Sequence, residues 1–341
     1  MARTLWPARG PRVVALQLNR SGPAKTGTVA MASGNEHGRR LINAIGEVIL
    51  GKDRSIQLAL AAILARGHVL IEDMPGVGKT TLAHAIARVL GLSFQRVQFT
   101  ADLLPADVLG VSVFNQSNGS FEFHPGPIFA NVVLADEINR ATAKTQSALL
   151  EAMEEHQVTQ DRLTRKLPEP FFVIATQNPS HQAGTFPLPE SQLDRFLMRL
   201  ELGYPHHAAE RELLRGEDRR DLLETLPALA DAQRLSAMQG EVRNVHVSDP
   251  LIDYVQALLA FSREATEFAN GLSPRAGLSL VAASRAWAYL DGRNHVIPED
   301  VQAVLPGVAG HRLRFSDDRG FYSANAAADI VDTLVRQVPI P

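Results

Sequence analysis

The stretch Asp73-Met-Pro-Gly-Val-Gly-Lys-Thr-Thr81 carries the residue types that hold a chain of phosphates. Glycines at 76 and 78 let successive backbone N–H groups come close to an anion, and a helix starting there directs its N-terminal amides at the same point. Lys79 then supplies a point charge for the β and γ phosphates, and the Thr80 hydroxyl a ligand for Mg²⁺. The residues expected to line such a loop are Asp73, Pro75, Gly76, Val77, Gly78, Lys79, Thr80 and Thr81. Asp73 stands where the general phosphate-loop pattern has glycine, so its carboxylate either weakens nucleotide affinity or points away from the phosphates.

A second group of reactive types follows. Asn131-Val-Val-Leu-Ala-Asp-Glu137 is an apolar run ending in two carboxylates, of which Asp136 would hold Mg²⁺ through water and Glu137 would polarise an attacking water. On its own such a pair equally fits an ordinary strand-to-helix turn with acidic N-terminal residues. Phe171-Phe-Val-Ile-Ala-Thr176 runs into Gln177-Asn178-Pro179, which puts a side-chain amide at Asn178 where it could orient water, or form no more than an Asn-Pro turn. Arg195 precedes another apolar run, Phe196 to Leu202, and could serve a neighbouring subunit's nucleotide or a surface salt bridge. Arg275 lies in Leu272-Ser-Pro-Arg-Ala276, where Ser273 is a good N-cap and Pro274 suits the first helical position. A cation there opposes the helix dipole and calls for another partner, such as a nucleotide triphosphate in a cleft between two domains.

These residues need strand ends and helix starts to place them. His68-Val-Leu-Ile-Glu-Asp73 reads as a strand, Leu82 to Leu90 as the helix after the loop, and the runs ending at Asp136 and Thr176 as central parallel strands whose C-terminal ends carry the chemistry. Upstream, Leu41, Ile42, Ile45, Val48 and Ile49 have helical spacing and stop at Gly51, and a second helix covers Ser55 to Ala65. Two segments break the strand–helix alternation and read as hairpins. In one, Val111–Phe114 and Phe121–Phe123 flank Asn115-Gln-Ser-Asn-Gly-Ser; the other, from Gln157 to Pro168, contains Arg162, Arg165 and Lys166. From Pro205 onward strand signals give way to helical periodicity, with starts at Asp249, Ser273 and Ile297. His206-His207 is read as loop or surface, because adjacent helical side chains point apart.

Composition narrows the class. A chain of 341 residues with 45% hydrophobic residues and a net charge of −3 holds enough apolar side chain for about two packed domains. It contains no cysteine, which excludes disulfides, thiolate nucleophiles and iron–sulfur clusters and makes the cytoplasm the expected location. No apolar run reaches the length of a membrane span. Residues 1–36 differ in kind: Arg3, Arg9, Arg12, Arg20 and Lys25 face no acidic residue there, and Pro7, Pro11 and Pro23 interrupt helix. The expectation is a tail, either a targeting peptide or an extension upstream of a start at Met31.

Taken together, Met74–Thr81, Val132–Arg140, Ile174–Pro179 and Leu188–Phe196 resemble the AAA+ superfamily. More narrowly, Glu72–Thr80, Asp136-Glu-Ile-Asn-Arg-Ala141, Lys144–Glu154 and Ala175-Thr-Gln-Asn-Pro179 resemble the MoxR family of ATPases, over about residues 37–335. In that family Asp is common at the position of Asp73. The resemblance implies an α/β P-loop NTPase domain with a five-stranded parallel sheet over residues 37–204 and an all-helical lid over 205–341. It implies Walker A at Gly76–Thr80, Walker B at Asp136 and Glu137, sensor 1 at Asn178, an arginine finger at Arg195 and sensor 2 at Arg275. The implied activity is Mg²⁺-dependent ATP hydrolysis in a ring, expected to be a hexamer. Glu137 would activate water, Asn178 position it, and Lys79, Arg275 and a neighbour's Arg195 stabilise phosphoryl charge. The two hairpins would face the ring's opening and meet a client, expected to be a von Willebrand factor A domain protein or one receiving a metal cofactor. The alternative is a nucleotide-dependent scaffold or switch whose turnover is incidental. A nucleic-acid motor, suggested only by Arg162, Arg165 and Lys166, ranks last.

Overall fold

The computed structural model describes residues 26–117, 119–178, 184–216, 219–316 and 326–340. Two helices come first, α1 (Thr26–Val48) and α2 (Asp53–Leu64). Helix thus reaches back to Thr26, eleven residues into the segment expected to be a tail, while residues 1–25 lie outside the described residues. Then follow β1 (Val69–Glu72), α3 (Lys79–Val89), β2 (Phe94–Gln98), α4 (Pro105–Leu109), β3 (Gly110–Asn115), β4 (Ser120–Pro125), β5 (Val132–Asp136) and α5 (Ala143–Glu155). The remaining α/β elements are β6 (Gln157–Gln160), β7 (Leu163–Lys166), β8 (Phe172–Gln177), α6 (Glu190–Leu193) and β9 (Met198–Leu200). Helices complete the chain: α7 (His207–Arg215), α8 (Arg219–Thr225), α9 (Ala232–Arg243), α10 (Asp249–Glu264), α11 (Pro274–Leu290), α12 (Pro298–Ala309) and α13 (Ala326–Gln337).

Five strands form one sheet in the order β2-β5-β8-β1-β9, every pair parallel. Parallel direction gathers all the C-terminal strand ends on one edge, where Gln98 stands beside Asp136 and Glu72 beside Gln177. The strands alternate strictly between two apolar layers. Val69, Ile71, Val132, Leu134, Phe172 and Ile174 face one layer. Leu70, Val133, Ala135, Val173 and Ala175 face the other. Both faces are covered, so the central strands carry near-continuous apolar runs, the property that makes them readable in sequence. Strand β2 lacks it, because it is an edge strand in which Gln95, Arg96 and Gln98 are exposed.

The first layer does not stop at the sheet. It continues through α1, α2 and α3 into the C-terminal helices, including Leu235, Tyr254, Leu280, Val304 and Leu334 in one cluster. Gln57 of α2 donates to Asp291 at the end of α11 at 2.9 Å, a polar stitch at that joint. The helix starts are capped as the sequence demands: Ser273 Oγ accepts from the Ala276 N–H at 3.1 Å, and α10 and α12 each carry proline in the first turn. His206 caps α7 rather than lying within it, accepting from the Ala209 N–H at 3.3 Å.

Both hairpins form. In β3–β4, Phe114 pairs with Phe121; in β6–β7, Gln160 pairs with Leu163 across Asp161 and Arg162, which have φ of 53° and 64°, as a two-residue turn between twisted strands requires. The Arg165 guanidinium sits 3.8 Å from the centre of the Phe123 ring and so ties one hairpin to the other.

Candidate active site

The phosphate loop joins β1 to α3, as its sequence requires. Gly76 and Gly78 have φ of +86° and +95°, left-handed values that disfavour any side chain. Met74, Pro75 and Gly76 are exposed, Val77, Gly78, Thr80 and Thr81 half-buried, and Lys79 lies beneath them with 8% of its surface exposed. The Lys79 ammonium donates to the Asp73 carbonyl at 2.5 Å, to Asn178 Oδ1 at 2.9 Å and to the Gln177 carbonyl at 3.4 Å. Burial pushes its pKa below the ordinary lysine value, while Asp73, Asp136, Glu137 and Glu72 pull it back up. A cation held by neutral oxygens with carboxylates nearby is poised for a stronger anionic partner.

Asp73 settles between its two readings. Its Oδ2 accepts from the backbone N–H groups of Leu202 and Gly203, both at 2.6 Å, and Oδ1 from its neighbour Met74 at 2.7 Å. The carboxylate is therefore turned from the phosphate side of the loop to strap it to the segment after β9. Asp73, expected to line the loop, meets Lys79 through its carbonyl.

At the neighbouring strand ends the two acidic residues have different surroundings. Asp136 is buried; its Oδ1 accepts from Thr176 Oγ1 at 2.6 Å, and its Oδ2 from Arg96 Nη2 at 2.6 Å and Nε at 3.1 Å. Glu137 takes φ of 55°, which turns the chain out of the strand into a single 3-10 turn. Its carboxylate accepts from Gln98 Nε2 at 3.0 Å, Arg140 Nη1 at 2.9 Å and Asn178 Nδ2 at 3.2 Å. Asn178 thus bridges the two groups expected to do chemistry, accepting from Lys79 and donating to Glu137; Pro179, which follows it, lies outside the described residues. Arg96, Gln98 and Thr176 belong to this site, and sequence reasoning missed them. Two sit on β2, and register across the sheet, rather than any local pattern, brings Gln98 beside Asp136.

The two arginines lie elsewhere. Arg195 Nε is 3.1 Å from Glu154 Oε2, and Arg275 Nη2 donates to Glu154 Oε1. Glu154 lies in the last turn of α5, and the three residues share a cavity of about 220 Å³ with Arg66, Gly67 and His68, which precede β1. This cavity opens at the N-terminal edge of the sheet. The phosphate loop is at the other end of β1, whose four residues span about 13 Å at about 3.3 Å each. Arg275 does not meet Lys79 of the same chain: it faces Glu154 in a cavity between the α/β domain and the helical lid, at the edge opposite the phosphate loop. The segment bearing Arg195 is held from behind by buried Arg312. Arg312 Nε donates to Asp194 Oδ1 at 2.6 Å, Nη2 to the carbonyls of Asp194 and Phe196 at 3.1 and 2.8 Å, and Nη1 to those of Leu197 and Val308 at 3.2 and 2.6 Å.

A parallel sheet with a phosphate loop after its first strand, acidic and amide side chains at adjacent strand ends and a helical C-terminal lid defines a P-loop NTPase of the AAA type. Residues 68–198 match the family described as "ATPase family associated with various cellular activities (AAA)" and residues 260–334 match the "AAA lid domain". Chaperone MoxR1 of Mycobacterium tuberculosis is 41% identical over 293 residues, 82% of this chain and 76% of that protein. Protein MoxR of Paracoccus denitrificans is 33% identical over 322 residues, 87% of this chain and 94% of its own. A crystal structure of a protein from Cytophaga hutchinsonii superposes with a TM-score of 0.84 at 34% identity, covering 93% of this chain and 98% of that one. The chain belongs to the MoxR family of AAA+ ATPases.

Proposed function

We propose that the protein hydrolyses ATP with Mg²⁺ in a ring, expected to be hexameric, and uses the turnover to remodel a client protein. The observation that carries this reading is the division of the charged groups between opposite edges of one sheet. Lys79, Asn178 and Glu137 form a connected set at the C-terminal edge, and Arg195 and Arg275 a second set at the N-terminal edge. Copies packed edge to edge bring the arginines of one to the phosphates held by the next, so each pocket is completed by its neighbour.

Within a pocket the roles follow from the contacts. Lys79 trades the Asp73 carbonyl and the Asn178 amide oxygen for phosphate oxygens. Asn178 then turns its amide to the attacking water, and Glu137, already facing Asn178, accepts that water's proton. Among the described residues no cluster of three His, Cys, Asp or Glu could hold a metal alone, which suits an ion held mostly by substrate phosphates and water. Thr80 and Asp136 are the chain's donors for it, and Arg96 would have to share Asp136. Mg²⁺ bound there would neutralise charge on the β and γ phosphates.

The client reading rests on the two hairpins. They carry exposed Phe114, Phe121 and Leu163 on a surface tied together by Arg165 and Phe123, side chains suited to grip an apolar segment of another protein. The M. tuberculosis relative is named a chaperone. The client class proposed is a protein with a von Willebrand factor A domain or one receiving a metal cofactor. No described helix is long and apolar enough to cross a membrane. The test is steady-state ATPase on the purified chain across protein concentrations. Turnover should rise with concentration as rings form, vanish in Glu137→Gln with nucleotide still bound, and vanish together with binding in Lys79→Ala. Turnover per chain that ignores both concentration and Arg195→Ala refutes the shared pocket.

A further inference from the structure

We propose that Glu154 is the positioning residue of the arginine edge: one carboxylate that sets Arg195 and Arg275 side by side as a two-armed donor for a phosphate held by a second copy of this chain. The proposal rests on the shared-pocket reading above and names the part of it that no motif supplies.

Three elements far apart in sequence meet here, and Glu154 is the contact between them. Its Oε1 accepts from Arg275 and its Oε2 lies 3.1 Å from Arg195 Nε in an ion pair, so one carboxylate holds the two guanidinium groups close to each other. The nearest approach of Arg195 to Glu154 is through Nε, at 3.1 Å, and a guanidinium has five N–H donors in a fixed fork, more than one carboxylate oxygen can take. An arginine ion-paired to one carboxylate oxygen keeps further N–H donors of its fork for a phosphate, which such a fork can match bidentately. The backbone under Arg195 is fixed as well, since Arg312 holds the carbonyls on either side of it. Arg195 is thereby pinned at its base by Arg312 and at its neck by Glu154. Arg275, on the first turn of α11, is steadied by Glu154 from across the cavity.

The bland alternative is an ordinary surface ion pair. All three side chains are part-exposed, and pairs of that kind contribute only about 0–1 kcal/mol to stability. The two accounts differ in where the effect falls. A surface pair acts on the chain that contains it, whereas a positioning carboxylate acts on the neighbour's pocket, because it orients groups that work there. Holding both forks in place before the phosphate arrives removes the reorganisation each would otherwise undergo during the reaction.

Mixed rings separate the outcomes. A Lys79→Ala chain has no pocket of its own and offers its arginines, while an Arg195→Ala chain has a pocket and lacks its finger. Co-assembled, they should hydrolyse ATP in the second chain's pocket. Adding Glu154→Gln to the Lys79→Ala chain should lower that rate by about tenfold to a hundredfold, the scale on which displacing a catalytic group by about an ångström acts. Adding it to the Arg195→Ala chain should leave the rate unchanged, with the melting temperature of either chain unmoved. Glu154→Asp, too short to reach both arginines, is read in the same way should the glutamine chain fail to enter rings. No hydrolysis in the parent mixture overturns the shared-pocket reading and this proposal with it. Hydrolysis that Glu154→Gln leaves intact in the arginine-donating chain, or lowers equally from either chain, overturns the role of Glu154 alone.

Discussion

Replacing Asp73 by asparagine asks whether the acidic residue at the head of the loop opposes the phosphates or holds the loop to the sheet, because the two roles give opposite signs. The carboxylate accepts three backbone N–H groups, from Met74 at 2.7 Å and from Leu202 and Gly203 at 2.6 Å each. Hydrogen bonds to a charged acceptor contribute about 1.5–3 kcal/mol apiece, and a buried donor left unpaired costs about 1–3 kcal/mol. An asparagine has one oxygen, so it can serve Met74 or the Leu202–Gly203 pair, with its NH₂ pressed against the donors it cannot serve. Even with relaxation, the expected loss is about 2–4 kcal/mol, which in a domain of this size lowers the melting temperature by about 5–10 °C. Had the carboxylate faced the phosphates, its removal would instead relieve like-charge repulsion of about 1 kcal/mol or more and tighten nucleotide binding several-fold. Thermal melting without nucleotide, followed by titration with a fluorescent ATP analogue, reads both quantities. Asp73→Asn protein that melts with the wild type and binds nucleotide several-fold tighter refutes the strap.

Two further outcomes follow from buried groups. Arg312→Met leaves Asp194 without its ion pair and four backbone carbonyls without this donor, a loss of about 3–5 kcal/mol, whereas Arg312→Lys keeps the charge without the fork and should recover part of it. Equal unfolding midpoints in urea for Arg312→Met and wild type would contradict this. His68 is fully buried, with Nδ1 accepting from the Val173 N–H at 2.9 Å and Nε2 at 3.2 Å from the Met153 carbonyl, and burial pushes its pKa down to about 4. The unfolded chain takes a proton near pH 6.5 that the native chain refuses until about pH 4, so stability falls as pH drops through that window, by about 2 kcal/mol at pH 5. His311, also pushed down by burial, acts in the same direction. A urea midpoint that does not fall between pH 7 and pH 5 would refute this.

The parts of the site legible in sequence are those built by neighbours in the chain. Gly76 and Gly78 announce a left-handed turn, Lys79 and Thr80 follow on the helix start, and Asp136, Glu137 and Asn178 end apolar runs that only a sheet covered on both faces tolerates. The β6–β7 hairpin was legible for the same reason, since a two-residue turn fixes its own register, and the β3–β4 hairpin because a polar run separates two short apolar ones. Strand β2 was not, because an edge strand with Arg96 and Gln98 exposed has no continuous apolar signature. Its arginine nevertheless meets Asp136, forty residues on.

Sequence by itself determined the nucleotide loop, the strand-end carboxylates and the caps that start the lid helices, because backbone conformation and hydrophobic period are set over a few residues. The tertiary structure alone decided that the Asp73 carboxylate ties the loop to the segment after β9, that Arg96 pairs with Asp136, and that Arg195 and Arg275 meet on Glu154 at the far edge of the sheet. Those outcomes depend on which strand lies beside which and on how a helix crosses the sheet. Such choices are made by burial summed over the whole core, and no short stretch of chain encodes them.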